Sequence, residues 1–400
     1  MWTTKKIGVV LGLPSPQDKL IHSFQFDSRA VKPGDCFIAL PGEVLDGNNF
    51  IDDAHARGAV CVIGQKNADF LVPDSYAALN KLGVYAKDHS PAKRIAITGS
   101  VGKTTTTSFL AQILQQKHTV VAPQKSFNNH IGVPLTMTGL SDKTEFGVFE
   151  IGTNHPGEMR PLADLVRPHI AIITKIGTAH IGHFGSKKNI ALEKAQILYA
   201  LTDDGVGIVP DDEFLEIYQA SGKKLVIIKE DEKEDLPTIP KRLHGNVAAV
   251  KKAAELLGVR DFDLSKLQAL QGRGLVYPYV INGKKVTIVD DAYNAAFDAF
   301  LASLEDLSHM TGRKILVVGD MGEVGEFAKE YHEKIVLKIN SVKDVAHVIP
   351  SGQFISEALK IMQYSHDNAI LRIRDVVEEG DILFFKGSNA SGVGKILGQL

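Results

Sequence analysis

The sequence predicts an α/β protein built as three units, and three observations predict it. Short apolar runs alternate with amphipathic stretches from about residue 93 onward. A glycine-rich turn follows the apolar run at Ile95-Ala96-Ile97, and another follows Val317-Val318. The texture changes at Asp88-His89-Ser90-Pro91 and again near Gly272. At 400 residues the chain has room for two or three domains, each with its own core. The expected divisions are 1–92, 93–271 and 272–400.

In the first unit, Phe37-Ile38-Ala39-Leu40 and Ala59-Val60-Cys61-Val62-Ile63 read as short strands, with a helical stretch from Phe50 to Arg57 between them. In the second, strands are expected at Arg94–Thr98, Phe146–Ile151, Ile170–Ile173 and Gly207–Pro210. In the third they are expected at Val286–Val289, Lys314–Val318, His347–Ile349 and Ile382–Phe385. Strands separated by helical stretches argue for parallel sheets with helices on both faces, and such sheets place ligands at the carboxyl ends of their strands. The run Glu230-Asp231-Glu232-Lys233-Glu234-Asp235 reads as a solvated acidic loop.

The most informative stretch is Thr98-Gly99-Ser100-Val101-Gly102-Lys103-Thr104-Thr105, a glycine loop between a strand and the amphipathic run Ser108–Leu114. Glycines let backbone N–H groups curl round a phosphate, and a helix N-terminus adds partial positive charge. Lys103 is placed to reach the β and γ phosphates and Thr104 to ligate Mg²⁺. The spacing is G-x-x-G-K-T-T rather than the longer phosphate-loop form, because Ile97 stands where that form has its first glycine. The competing reading is a glycine turn that only caps a helix.

Three more side chains invite chemistry. Glu150 ends an apolar strand on the same sheet edge as the loop, a place for a magnesium ligand or for a solvated strand end. His180 follows another strand end, where a lone histidine is more often structural. Lys194 lies in the helical stretch Asn189–Leu198, where a surface lysine is the default. Polar groups follow a later strand at Asp290-Asp291-Ala292-Tyr293-Asn294, and Gly319-Asp320-Met321-Gly322 with His332 forms a second glycine turn.

Composition narrows the class. The formal net charge of −2 gives no reason to expect nucleic acid or an anionic membrane as partner. Cys36 and Cys61 sit in apolar runs and read as buried free thiols of a reducing compartment. Without a leader-like or membrane-length apolar run, the expectation is a cytoplasmic protein.

Together these motifs resemble the Mur ligases of bacterial cell-wall synthesis, along the whole chain. Asp27-Ser28-Arg29, Pro33–Leu40 and Asp46-Gly47 resemble the family's UDP-sugar-binding first domain. Gly99–Thr105 resembles its ATP loop. Asn128-Asn129-His130-Ile131-Gly132-Val133-Pro134-Leu135-Thr136 resembles the N-N-x-I-G-x-P-x-T motif that sets one member apart from its sisters. Glu150-Ile151-Gly152-Thr153-Asn154, Ala179-His180, Ile190–Lys194, Asn246, Gly272-Arg273, Asp291–Ala295 and Lys386-Gly387-Ser388 follow in the expected order.

The resemblance implies a central parallel-sheet ATPase domain and a last domain of Rossmann-like type. It implies ATP-driven amide formation between a carboxylate and an amine through an acyl phosphate, with UDP-muramoyl-tripeptide and D-alanyl-D-alanine as substrates and a monomer as the working form. On it, Gly99, Ser100, Val101, Gly102, Lys103, Thr104 and Thr105, with Asn246, Arg273 and Asp291, contact ATP. Ser28, Arg29, Asp46, Asn128, Asn129, Tyr293 and Asn294 contact the other substrates. Thr104, Glu150, His180 and Lys194 attend two Mg²⁺ ions, with Lys194 carbamylated. The chain departs from the family pattern at Lys175 and Pro210, at Ala296-Phe297-Asp298-Ala299, at Asn389, and in a shortened stretch between about Lys229 and Arg242. Two rival readings are a related amide ligase acting on a folate-like or cofactor acceptor and a phosphate-loop NTPase without ligase activity; a third is a degenerate binding protein.

Overall fold

Ile95, Ala96 and Ile97 are fully buried in the strand Lys93–Thr98, the middle of a six-stranded sheet. The computed structural model describes every residue except 16, 43, 125, 230–235, 237 and 238. The acidic run Glu230–Asp235 therefore lies outside the described residues. Across the sheet the order is Lys224–Ile228, Val206–Pro210, Ile170–Ile173, Lys93–Thr98, Phe146–Glu150 and Val120–Val121, parallel throughout. The inner strands are apolar without alternation because both faces are covered. Ile95 and Ile97 pack with Phe109 and Val247 on one face, and Ala96 and Ile173 pack with Ile190 and Leu198 on the other.

From Lys93–Thr98 the chain runs out to Val120–Val121, returns through Phe146–Glu150, and then crosses to Ile170–Ile173 on the opposite side. This reversal opens a crevice at the carboxyl end of Lys93–Thr98, the place where parallel α/β sheets bind ligands.

A second sheet runs Leu275–Ile281, Lys284–Asp291, Ile382–Lys386, Lys314–Gly319, Val345–Ser351. The last four strands are parallel and the first is an antiparallel edge. The edge strand Leu275–Ile281 is absent from the sequence reading: it is largely exposed, and Pro278 interrupts its apolar residues. Lys224–Ile228, a half-buried edge of the central sheet, is also absent from that reading.

Near the start, Phe24–Gln25, Cys36–Ile38, Cys61–Gly64 and Phe70–Leu71 form a small parallel sheet. Cys36 and Cys61 are buried free thiols on neighbouring strands. This sheet joins the central one through aromatic contacts. Trp2 packs on Phe24 and Tyr85 and donates its indole N–H to Thr138 O at 2.8 Å. Phe26 meets Phe127 with ring centroids 5.7 Å apart. Among the described residues no helix is long and apolar enough to cross a membrane.

Candidate functional site

The loop after Lys93–Thr98 is shaped by two glycines. Gly99 at φ 142° and Gly102 at φ 92° hold backbone that strains any residue with a side chain. A Cβ at Gly99 would strike Thr174 Oγ1, and one at Gly102 would strike the Asn246 amide. Gly102 starts the helix Lys103–Gln115, whose first N–H groups have no intrahelical partner. Ser100 N and Val101 N both donate to Lys175 O, at 3.0 and 3.2 Å, so Lys175 anchors the loop through its carbonyl while its side chain is exposed. Lys103 Nζ folds back to donate to Gly99 O at 2.9 Å and Ser100 O at 3.4 Å. Burial pushes this ammonium below the usual lysine range, against the pull of Glu150.

Opposite the loop, Glu150 is 1% exposed. Its Oε1 accepts from Asn128 Nδ2 at 2.7 Å and from Ser126 Oγ at 3.4 Å. Its Oε2 is buried without a hydrogen-bond partner. An orphaned carboxylate oxygen is costly unless something cationic meets it. Thr104 Oγ1 reaches the same Ser126 hydroxyl at 2.7 Å, and Arg273 Nη2 donates to it at 3.3 Å. Ser126 thus joins three expected site residues and is itself missed by the sequence reading. Its only signal there is its place two residues before Asn128.

These groups line a cavity of about 700 Å³ between the central and last sheets. Asn246 Nδ2 donates to Thr106 Oγ1 at 2.8 Å beside the loop. Arg273 lies over the Tyr293 ring, 4.2 Å from its centroid. Asp291 is buried: it accepts from Lys386 Nζ at 2.7 Å and Ser303 Oγ at 2.5 Å, and Arg242 lies 3.4 Å away. Burial pushes the Asp291 carboxyl up, and Lys386 and Arg242 more than reverse it, leaving it below the ordinary carboxylate range. Asn294 is on the wall, and its Oδ1 accepts from Ala295 N at 2.8 Å. The departing residue Asp298 accepts from Thr178 N at 2.6 Å and Thr178 Oγ1 at 2.8 Å, and Lys187 lies 3.2 Å from it, so it ties the last unit to the central one.

Lys194 is not a surface lysine. It is 1% exposed, one layer behind the cavity wall, and its Nζ donates to Thr153 Oγ1 at 2.5 Å. Burial first, and then the Lys103 charge, lower its pKa to about 7. Its neighbour Glu193 accepts from Gly157 N and Met159 N at 2.9 and 2.8 Å, pinning the turn that carries Thr153. His180 is on the wall, with Nδ1 2.5 Å from Glu323 Oε2.

Besides Lys194, four expected substrate residues are not brought to this cavity. Ser28, Arg29 and Asp46 lie in the first sheet unit: Ser28 is buried, Arg29 is paired to Asp27 at 2.7 Å, and Asp46 caps a turn at Asn48 N. Asn129 Oδ1 accepts from Ile131 N and Gly132 N at the start of the next helix. The Gly319–Gly322 turn is structural: Asp320 accepts from Ile355 N at 2.8 Å, and His332 Nε2 accepts from Met321 N at 3.0 Å.

A glycine phosphate loop faced by a buried carboxylate, with a second α/β sheet over the same cavity, defines a nucleotide-using α/β enzyme. Three family models match in order: the Mur ligase family catalytic domain over residues 20–99, the Mur ligase middle domain over 97–255, and the Mur ligase glutamate ligase domain over 279–389. The chain belongs to the Mur ligase family. It is similar, at 30% identity over 99% of both chains, to the UDP-N-acetylmuramoyl-tripeptide–D-alanyl-D-alanine ligase of Rickettsia prowazekii. The Bacillus subtilis protein of the same name is 28% identical, covering 98% of this chain and 95% of the relative. Among solved structures, MurF from Acinetobacter baumannii superposes with a TM-score of 0.85 at 28% identity, covering 100% and 98% of the two chains. MurF ligase from Thermotoga maritima in complex with ADP gives 0.79 at 27% identity, covering 94% and 96%.

Proposed function

We propose that this chain is an ATP-dependent ligase that joins D-alanyl-D-alanine to the free carboxylate of UDP-N-acetylmuramoyl-tripeptide, releasing ADP and phosphate. The observation that carries this reading is the loop–Ser126–Glu150 constellation, in a chain whose full-length relatives bear that ligase's name. Residues 1–92 would hold the UDP-sugar through Ser28, Arg29 and Asp46, residues 93–271 the ATP phosphates, and residues 272–400 the nucleoside side and the amine.

The reaction transfers the γ-phosphoryl group to a carboxylate oxygen as the bond to ADP breaks. The amine nitrogen then attacks the acyl carbon and phosphate leaves with that oxygen. Such transfer needs positioning and charge neutralisation more than covalent help. Lys103, released from Gly99 O, would bind the β and γ phosphates, with the helix start supplying N–H donors. Asn246, Arg273 and Asp291 would hold the nucleotide, and Asn128, Asn129, Tyr293 and Asn294 would orient the substrates. With the last unit docked through Asp298, water is kept from the acyl phosphate.

The donors present fit Mg²⁺: Thr104 Oγ1 and the orphaned Glu150 Oε2 are hard oxygen ligands beside the phosphate loop. Among the described residues no three His, Cys, Asp or Glu side chains gather as a metal cluster. Phosphates and water would therefore complete the shell, as is usual for magnesium. His180 and a carbamylated Lys194 would hold a second ion. Bound Mg²⁺ supplies neutralisation of charge on the transferring phosphoryl group. A cytoplasmic monomer accords with this reading. The test is ADP release from a substrate panel: release should require both UDP-muramoyl-tripeptide and D-alanyl-D-alanine. Equal release with neither would leave a bare NTPase.

A further inference from the structure

His180 and Glu323 both hold left-handed backbone, at φ 62° and φ 57°. That conformation strains a residue with a side chain and persists only where surrounding structure imposes it. The two come from different sheets. His180 opens the short helix Ile181–Phe184 after the strand Ile170–Ile173, and Glu323 follows the strand Lys314–Gly319. The turns that carry them touch, with Gly182 packed against Glu323 O and Gly325. His180 Nδ1 lies 2.5 Å from Glu323 Oε2, yet Nδ1 has no aligned hydrogen bond.

We propose that Glu323 is a positioning residue: it takes the His180 Nδ1–H from across the domain boundary and aims Nε2 at a divalent cation. An imidazole that binds a metal through one nitrogen commonly donates the other N–H to a carboxylate, which fixes tautomer and ring orientation. Here the carboxylate belongs to the last unit, so the second cation site is complete only when that unit is docked. The two strained backbones are what let these side chains meet. The inference rests on the reading of His180 as a cation ligand.

Mn²⁺ added to the full chain with ADP, with free Mn²⁺ read by electron paramagnetic resonance, tests it. The unmutated chain should bind two ions. Glu323→Gly relieves the strained backbone and removes the carboxylate. It should keep the first ion and weaken the second by about tenfold or more, at unchanged melting temperature. Glu323→Gln, which keeps an acceptor oxygen, should recover most of that loss. If the glycine variant does not fold, Glu323→Asn tolerates the same backbone and is too short to reach His180. Wild-type binding of the second ion by Glu323→Gly, with its loss in His180→Ala, overturns the proposal and spares the role of His180. Two ions in His180→Ala, or one in the unmutated chain, overturns that role and the proposal with it.

Discussion

The Lys194 amine sits 2.5 Å from Thr153 Oγ1 and one helical position from Glu193, in a pocket only 1% exposed to solvent. Burial and the Lys103 charge bring its pKa to about 7. A neutral amine is the form that attacks the carbon of CO₂, making an N–C bond and releasing a proton. The product would be an anion on a long stem, of the charge that the proposed second cation needs. Lys194→Arg keeps length and charge but cannot form the carbamate, and should lose most turnover. Near-normal turnover of that variant would return Lys194 to a structural role.

The same pKa sets a pH dependence. At fixed CO₂ pressure the ¹³C carbamate signal from labelled CO₂ should rise as pH climbs through about 7. The stability sign follows from the lowered value. Lys194 must shed its proton to fold at neutral or higher pH, so its unfavourable contribution grows as pH falls from the unfolded lysine value toward 7 and is complete below it. Lys194→Met should therefore gain stability relative to the parent at pH 6 and not at pH 11. Equal differences at both pH values would contradict the lowered pKa.

Lys103 serves the phosphates in this account and does little for the fold, since its bonds go to two carbonyls of its own loop. Lys103→Ala should lower turnover by about 10²-fold or more while the melting temperature stays close to the parent's. Retention of more than a tenth of the activity would argue against the role.

Lys386 and Asp291 form a buried pair with Arg242 and Ser303 alongside. Removing one partner of such a pair leaves a buried charge uncompensated, at a cost of about 3–5 kcal/mol. Lys386→Met should destabilise the fold toward the lower end of that range, because Arg242 still faces Asp291. Denaturant unfolding measures it, and a neutral result would mean that Asp291 takes up a proton.

Arg29 is exposed, is paired to Asp27, and is not among the residues that line the cavity. Arg29→Ala should raise KM for the UDP-sugar substrate and leave ADP binding by calorimetry unchanged. A shift in ADP affinity would contradict the division of labour proposed between the first and central units.

The inner strands were legible because buried parallel strands are unbroken apolar runs: Arg94–Thr98 and Ile170–Ile173 were read within a residue of the observed bounds. In the exposed hairpin strand Leu275–Ile281, Pro278 breaks the apolar residues, and a proline inside a run argues against a strand. At the site, spacing alone marks Gly99–Thr105, because a phosphate loop is local in sequence. Ser126, Ser303 and Glu323 matter only through contacts with distant parts of the chain, and Asp298 stands where the family pattern breaks. A lysine on a helix looks like a surface group until the fold buries it, as with Lys194.

Every role proposed for these residues depends on the activation of a carboxylate by ATP. That activation can be followed with tripeptide substrate labelled with ¹⁸O in its free carboxylate, incubated with D-alanyl-D-alanine, Mg²⁺ and ATP. Each phosphate released should carry one ¹⁸O, and the amide product should have lost one, read by mass spectrometry. Unlabelled phosphate, with or without product, would contradict it.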